Sequence, residues 1–258
     1  MGKKIDRTGK IGYNNFGSKM IITRYNSAKD LDIYFPEYNF TFEHATYNNF
    51  KKGRVKCPYE PRVYGHGYIG EGKYKVKENG KKTDEYEIWY EMLRRCYDPK
   101  LHERYTTYEG CMVEDYLLNF QNMGEWIEEN YYEVQGEQMC LDKDILYKGN
   151  KIYSRDTCIF VPQKINKLFN KRDNSRGKNP IGVTELPSGN YQAYCNNGYG
   201  KMDYLGTYSI KEGAFQVYKE YKEKIIKEII DSYEGKIPEP FYSKLRTAMY
   251  NYEVEIDD

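Results

Sequence analysis

Residues 141–166, LDKDILYKGNKIYSRDTCIFVPQKIN, gather side chains suited to chemistry on a phosphodiester. Asp142 and Asp144 flank Lys143, and the amide of Asn166 follows in a segment that reads as helix after Pro162. An ammonium between two carboxylates stays charged and binds phosphate as a point charge. Lysine is protonated at neutral pH, so position 143 offers a phosphate a positive charge rather than offering a proton an acceptor. The three histidines, His44, His66 and His102, all lie upstream of the stretch.

The elements around these residues read as a short strand, a turn, a second strand (CIFVP, 158–162) and a helix. Strand, strand, helix is the topology of the ββα-metal nuclease site. There one residue of the first strand and one of the helix hold a divalent cation, while a histidine deprotonates water and an asparagine orients it. Upstream, residues 84–100 place Tyr86, Trp89, Leu93 and Cys96 on one helical face, with acids in the first turn and Arg94 and Arg95 near the end. A second helix is expected over 113–130, with Tyr116, Leu117, Phe120, Met123 and Trp126 at near-helical spacing.

The run W-x-x-M-L-x-R-C-Y (Trp89 to Tyr97), the aromatic YTTYEGCMVEDYLLNF and LDKDIL…FVP…IN resemble a family of bacteriophage and prophage proteins of HNH-endonuclease type, over residues 63–250. The resemblance implies a ββα-metal core with a catalytic set of Asp142, Lys143, Thr157 and Asn166. Asp142 falls on the acidic metal position and Asn166 on the last metal position, with Mg²⁺ or another divalent ion as cofactor. Lys143 stands where the family pattern has its histidine, and Thr157 where it has its asparagine. The pattern therefore implies either a modified cleavage mechanism or a scaffold without cleavage. In the second case the protein is a binding factor, a phage regulator or an inhibitor of a host defence protein.

The C-terminal part reads as three strands and a helix. IGVTEL (181–186), YQAYCNN (191–197) and KMDYLGTY (201–208) are separated by Gly-containing turns. Ser209 with Glu212 predicts a capping box, and Ile210, Ala214, Phe215, Tyr218, Tyr221, Ile225 and Ile229 one apolar stripe. The spelling G-V (182–183), G-N-Y-Q-A (189–193), Y-L-G-T-Y (204–208) and E-G-A (212–214) resembles the plant ethylene-response-factor (Apetala-two) domain. The resemblance implies a sheet that enters the DNA major groove. Alternation puts Tyr191, Ala193 and Cys195 on one face and Gln192, Tyr194 and Asn196 on the other, without saying which face is open. Glu185 and Asp203 would repel phosphate. The side chains expected at double-stranded DNA are Arg94, Arg95, Lys164, Lys167, Lys171, Arg172, Arg176, Tyr191, Tyr194 and Lys201.

Charge divides the chain further. Residues 1–62 hold 12 Lys and Arg against 6 Asp and Glu, whereas 63–162 hold 13 against 19. The acidic block could imitate nucleic acid toward a protein partner, and the basic blocks, 1–62 and 163–206 with 7 Lys and Arg against 3 Asp and Glu, could touch a polyanion. Short aromatic strand-like runs, KMIITRY (19–25), LDIYF (31–35) and NFTFE (39–43), predict a small N-terminal β-barrel-like module. The expected class is α+β in three modules: 1–62, 63–175 and 176–258. The acidic C-terminal end suits a capping helix or a homodimer contact. Six scattered cysteines read as reduced thiols, and no apolar run approaches the ~20 residues of a membrane helix. A cytoplasmic protein of an infected or lysogenic bacterial host is expected.

Overall fold

Alternating apolar residues over 19–35 put Met20, Ile22, Leu31, Ile33 and Phe35 on one face of a sheet, and all five are fully buried. A computed structural model describes residues 5–169 and 179–256 of the chain. The fold is α+β with several small sheets, and the chain divides into two units, Met1–Ile127 and Glu128–Asp258. The sequence break at 62/63 lies inside the first unit; the break at 175/176 lies outside the described residues.

The first sheet has the order β1 (Ile11–Tyr13), β2 (Lys19–Ser27), β3 (Asp30–Phe35), β4 (Phe40–Ala45), all neighbours antiparallel. It has a core of its own, from Met20 to Cys57. The sheet is open where a barrel was expected: among the described residues β4 does not pair with β1. The helix that follows β4, α1 (Tyr47–Lys51), packs beside β1 instead. Thr46 caps it by accepting from the Asn49 amide at 3.2 Å. Gly12 permits the approach, since a Cβ there would meet the Phe50 ring at 2.9 Å.

A small hairpin of β5 (Lys77–Glu78) and β6 (Lys81–Lys82) leads to α2 (Asp84–Tyr97), which buries Trp89, Met92, Leu93 and Cys96. Thr83 caps its start. Asp98 ends it and caps α3 (Pro99–Arg104). After β7 (Met112–Val113), the helix expected over 113–130 is two helices, α4 (Asp115–Leu118) and α5 (Phe120–Asn130). Asn119 between them is extended, its Oδ1 accepts the Gln121 amide at 3.0 Å, and the Tyr68 backbone bonds to both Leu118 and Phe120. A side-chain cap and an inserted backbone thus interrupt a pattern that periodicity reads as continuous.

The second unit opens with β8 (Met139–Asp142), β9 (Ile152–Tyr153) and β10 (Ile159–Pro162), then α6 (Gln163–Asn166) and a 3₁₀ turn to Phe169. β10 pairs antiparallel with β8, Ile159 facing Asp142 and Pro162 facing Met139. A short strand and a turn were expected just ahead of it, within GNKIYSRDT; β9 there is two residues long, and Asn150 and Thr157 bind its Ile152 carbonyl in a local turn. α6 packs on both β8 and β10.

β11 (Val183–Glu185), β12 (Tyr191–Asn196) and β13 (Met202–Tyr208) form an antiparallel sheet in sequence order, as expected. α7 (Lys211–Asp231) lies across it and buries Ala214, Phe215, Tyr218, Ile225 and Ile229. The expected capping box does not form. The helix starts after extended Ile210, without a side-chain cap, so Ser209 is one residue too early. α8 (Phe241–Tyr250) packs against α7. No described helix is long and apolar enough to cross a membrane.

Candidate functional site

The hairpin site is built on the end of β8. There Asp142 Oδ1 accepts the backbone amides of Asp144 and Ile145, both at 2.8 Å, which turns the chain sharply out of the strand. Burial, followed by the neighbouring Asp144 carboxyl, raises the Asp142 pKa to about 6, against the two amides that lower it. Burial likewise pushes the nearby Cys158 thiol up to about 12, which leaves it an inert thiol.

Lys143 points inward and is 6 % exposed. Its ammonium donates to Asp144 Oδ2 and to the Asn150 carbonyl, each at 3.0 Å, and lies 5.7 Å from the Tyr153 ring centre. Thr157 is likewise turned to the loop: its hydroxyl donates to the Ile152 carbonyl at 2.8 Å and its oxygen accepts the Ser154 amide at 3.2 Å. Lys143 and Thr157 therefore hold the 143–158 loop in shape. The Lys143 ammonium is buried and engaged within the loop rather than presented outward to a phosphate.

Asp142 and Asp144 give the hairpin a carboxylate pair, and half-buried Asn166 stands on α6, which packs against β8. These are hard oxygen donors of the kind Mg²⁺ takes through one or two carboxylates and water. Lys143 occupies one oxygen of Asp144 and two amides occupy one of Asp142, so one oxygen of each carboxylate is clear of these bonds. Asp144 was not anticipated as a member of the set. Its signal was the D-K-D spelling itself.

The C-terminal sheet resolves which face is open. Ala193 and Cys195 are buried under α7 with Val183, and Tyr191 packs against the same core. Tyr191, expected at DNA, thus lies on the helix side of the sheet, where alternation from two buried neighbours sends it, and is half-buried there. The opposite face carries Thr184, Gln192, Tyr194 and Asn196, with Thr207, Tyr204 and Met202 across from the last three. Tyr194 and Tyr204 meet at 5.3 Å between ring centres, and Tyr204 and Thr207 share a hydroxyl bond of 2.7 Å. Tyr204 is 55 % exposed.

Among the described residues, no carboxylate stands on that open face. Asp203 is opposite Cys195 on the helix side, where it accepts the Tyr221 hydroxyl at 2.5 Å. Glu185 is opposite Tyr191, again on the helix side. The repulsion expected from these two acids is therefore directed away from a ligand on the open face. Gln192 and Asn196, which alternation put on one face with Tyr194, and Tyr204 belong to this open face and were not among the side chains expected at DNA; the apolar spacing of Ala193 and Cys195 against the helix stripe was the available signal.

Among the other residues expected at DNA, Lys201 is exposed in the β12–β13 turn and Lys167 is exposed after α6. Lys164 stacks 4.1 Å over the Tyr199 ring and, with Glu137, Ser232 and Lys236, lines a hollow of about 420 Å³. Arg94 is engaged within α2, its Nη1 3.3 Å from Glu91 and its Nε 3.6 Å from Asp98. Arg95 lies 6.0 Å over Tyr108. Lys171, Arg172 and Arg176 lie outside the described residues. The six cysteines are all free thiols, five of them buried. In comparison with family models, curated proteins and solved structures, the chain matches none.

Proposed function

We propose that this chain is a phage-type DNA-binding protein that reads double-stranded DNA with the open face of its C-terminal sheet. The hairpin 139–166 is then an HNH-like scaffold that lacks a general base. The observation that carries the reading is the composition of the open face: two carboxamides, four hydroxyls and no carboxylate on three adjacent strands. Carboxamides and hydroxyls are the groups that pair with base edges, and a small β-sheet fits the width of the major groove. Lys201 at one end of the face supplies phosphate contact.

A second reading, a divalent-metal nuclease, is favoured by one observation, the Asp142–Asp144 carboxylate pair. A cation bound there would offset the burial and the Asp144 charge that together raise the Asp142 pKa. It would be held by Asp142, Asp144 and Asn166, and it would supply Lewis acidity to a bound phosphate. With Lys143 and Thr157 engaged in the loop, the side chains of the hairpin leave no proton acceptor where the HNH pattern has one.

One experiment tests both readings. The full chain and its Asp142→Ala variant are incubated with supercoiled plasmid and Mg²⁺ or Mn²⁺, and a parallel gel shift is run with duplex fragments of phage genomic DNA. A shifted but intact duplex is the expected result. Nicking lost in Asp142→Ala establishes the second reading, and neither shift nor nick removes both.

A further inference from the structure

The N-terminal sheet carries a surface that the proposed duplex contact does not use. Between Glu43 and Glu60 the chain has no acidic residue, yet it has Lys51, Lys52, Arg54 and Lys56 on and after α1, all exposed. Glu60 is not on this surface: it is 3 % exposed and bonded to Asn14 and Ser18. Packing brings two further cations to α1. Arg7 stacks 4.1 Å over the Tyr47 ring, and Lys10 Nζ donates to the Tyr47 hydroxyl at 2.7 Å.

The same rim exposes aromatic rings. The Asn15 amide donates to the Gly53 carbonyl at 2.8 Å, and a Cβ on Gly53 would stand 3.0 Å from the Tyr13 carbonyl. The strand carrying Tyr13 and the loop carrying Phe16 are therefore fixed against the Lys52–Arg54 segment. Tyr13 is 63 % exposed and Phe16 55 %. Arg62 lies 5.3 Å from the centre of the Phe16 ring, and the two exposed rings stand beside a row of cations, a combination that suits flat, charged ligands.

We propose that this rim binds single-stranded nucleic acid, with Tyr13 and Phe16 as stacking platforms and Lys10, Lys51, Lys52, Arg54 and Lys56 along the phosphates. Cations alone would serve a duplex backbone or an acidic protein equally. The exposed rings decide between these partners. Unpaired bases offer π-faces to a protein ring, whereas bases in a duplex are already stacked on each other. The surface belongs to the first unit and the β11–β13 face to the second, and the two act on different forms of nucleic acid.

The test is fluorescence anisotropy of a labelled oligo(dT) of about 16 nucleotides, the upper end of a small β-module's site, titrated with the full chain over a range of salt. Three variants accompany it: Lys51→Glu/Lys52→Glu/Arg54→Glu, Tyr13→Leu, and Tyr194→Ala/Tyr204→Ala. The charge reversal is expected to weaken oligo(dT) binding tenfold or more and to flatten the log–log salt slope by about 2, at ~0.7 per lost phosphate contact. Tyr13→Leu is expected to weaken it about fivefold or more without changing the slope. Tyr194→Ala/Tyr204→Ala is expected to leave oligo(dT) binding intact, whatever it does to duplex. Unchanged oligo(dT) affinity in the charge reversal overturns the proposal. So does equal competition by polyglutamate, which would indicate an acidic protein, or loss of oligo(dT) binding in the sheet variant, which would place the strand on the C-terminal face. A neutral Tyr13→Leu result removes the single-strand assignment.

Discussion

Lys143 and Asn150 hold each other twice, the lysine ammonium donating to the Asn150 carbonyl at 3.0 Å and the asparagine Nδ2 donating back to the Lys143 carbonyl at 2.7 Å. Asn150 extends the clamp to Ile152, donating to its carbonyl at 2.7 Å and accepting from its amide at 3.2 Å. A loop of this length between paired strands carries many backbone groups that need partners, and this clamp supplies them. The cation at 143 is thereby a structural group of the hairpin.

Replacing either partner should loosen the unit rather than alter chemistry at phosphate. Lys143→Met is expected to cost about 1–3 kcal/mol, since the half-buried Asn150 carbonyl loses its charged donor. Asn150→Ala should cost about 2–4 kcal/mol for the loss of three bonds. Urea denaturation followed by circular dichroism measures both. Wild-type stability in Lys143→Met would show that the ammonium is dispensable to the loop and return it to consideration as a ligand.

Asp142 predicts a pH dependence of opposite sign to an ordinary paired carboxylate. Its pKa is raised from 3.8 to about 6 by burial and by Asp144. The neutral form is the favoured one in the fold, so its stabilisation is complete below pH 3.8 and is lost as pH rises through 6. Asp142→Asn keeps an oxygen for the two amides and removes the charge. It is expected to raise stability at pH 7.5 by about 1–2 kcal/mol, discounted from a ceiling near 3 because the group is only half-buried. The gain should vanish at pH 3.5. Thermal melts at the two pH values read it directly, and an equal effect at both would mean that Asp142 ionises like a free side chain.

The two faces of β12 separate binding from folding. Tyr194→Ala/Tyr204→Ala removes rings from the open face and is expected to weaken duplex binding about tenfold or more, at ~1–3 kcal/mol per contact, with little change in melting temperature. Tyr191→Ala, on the helix side, should lower the melting temperature and leave the affinity of the folded protein unchanged. If Tyr191→Ala weakens binding at a temperature where it is folded, the assignment of faces is wrong.

Elements whose pattern is local were legible in the sequence. The β11–β13 strands and the stripe of α7 were found within a residue or two, because alternation and helical spacing are properties of the segment itself. The partner of β10 was not. Met139–Asp142 is a short run with no flag of its own, and its pairing spans a loop that only tertiary bonds from Lys143 and Asn150 make compact. The inward turn of Lys143 had the same origin, for a lysine between two aspartates reads as exposed until Asn150 is brought to it. The break at Asn119 was hidden because the apolar residues on both sides keep helical phase. The open face of the sheet needed the helix in place before alternation could be given a direction.

Gly182 ties the fold of the C-terminal sheet to its open face. Its φ is +75°, its carbonyl accepts the Tyr194 amide at 2.9 Å, and a Cβ would stand 2.1 Å from Cδ2 of Tyr218, a ring buried between helix and sheet. Gly182→Ala therefore meets both a left-handed backbone and a buried core ring, and a loss of about 3 kcal/mol or more is expected. Because Tyr194 hangs from the same carbonyl, duplex affinity should fall with the loss of structure. The cause can be isolated in a double-mutant cycle. Tyr218→Ala alone should destabilise by opening a cavity, but in the Gly182→Ala background it should cost clearly less, since it removes the clash. Strict additivity of the two changes would show that the left-handed backbone alone, and not the approach to Tyr218, demands glycine at 182.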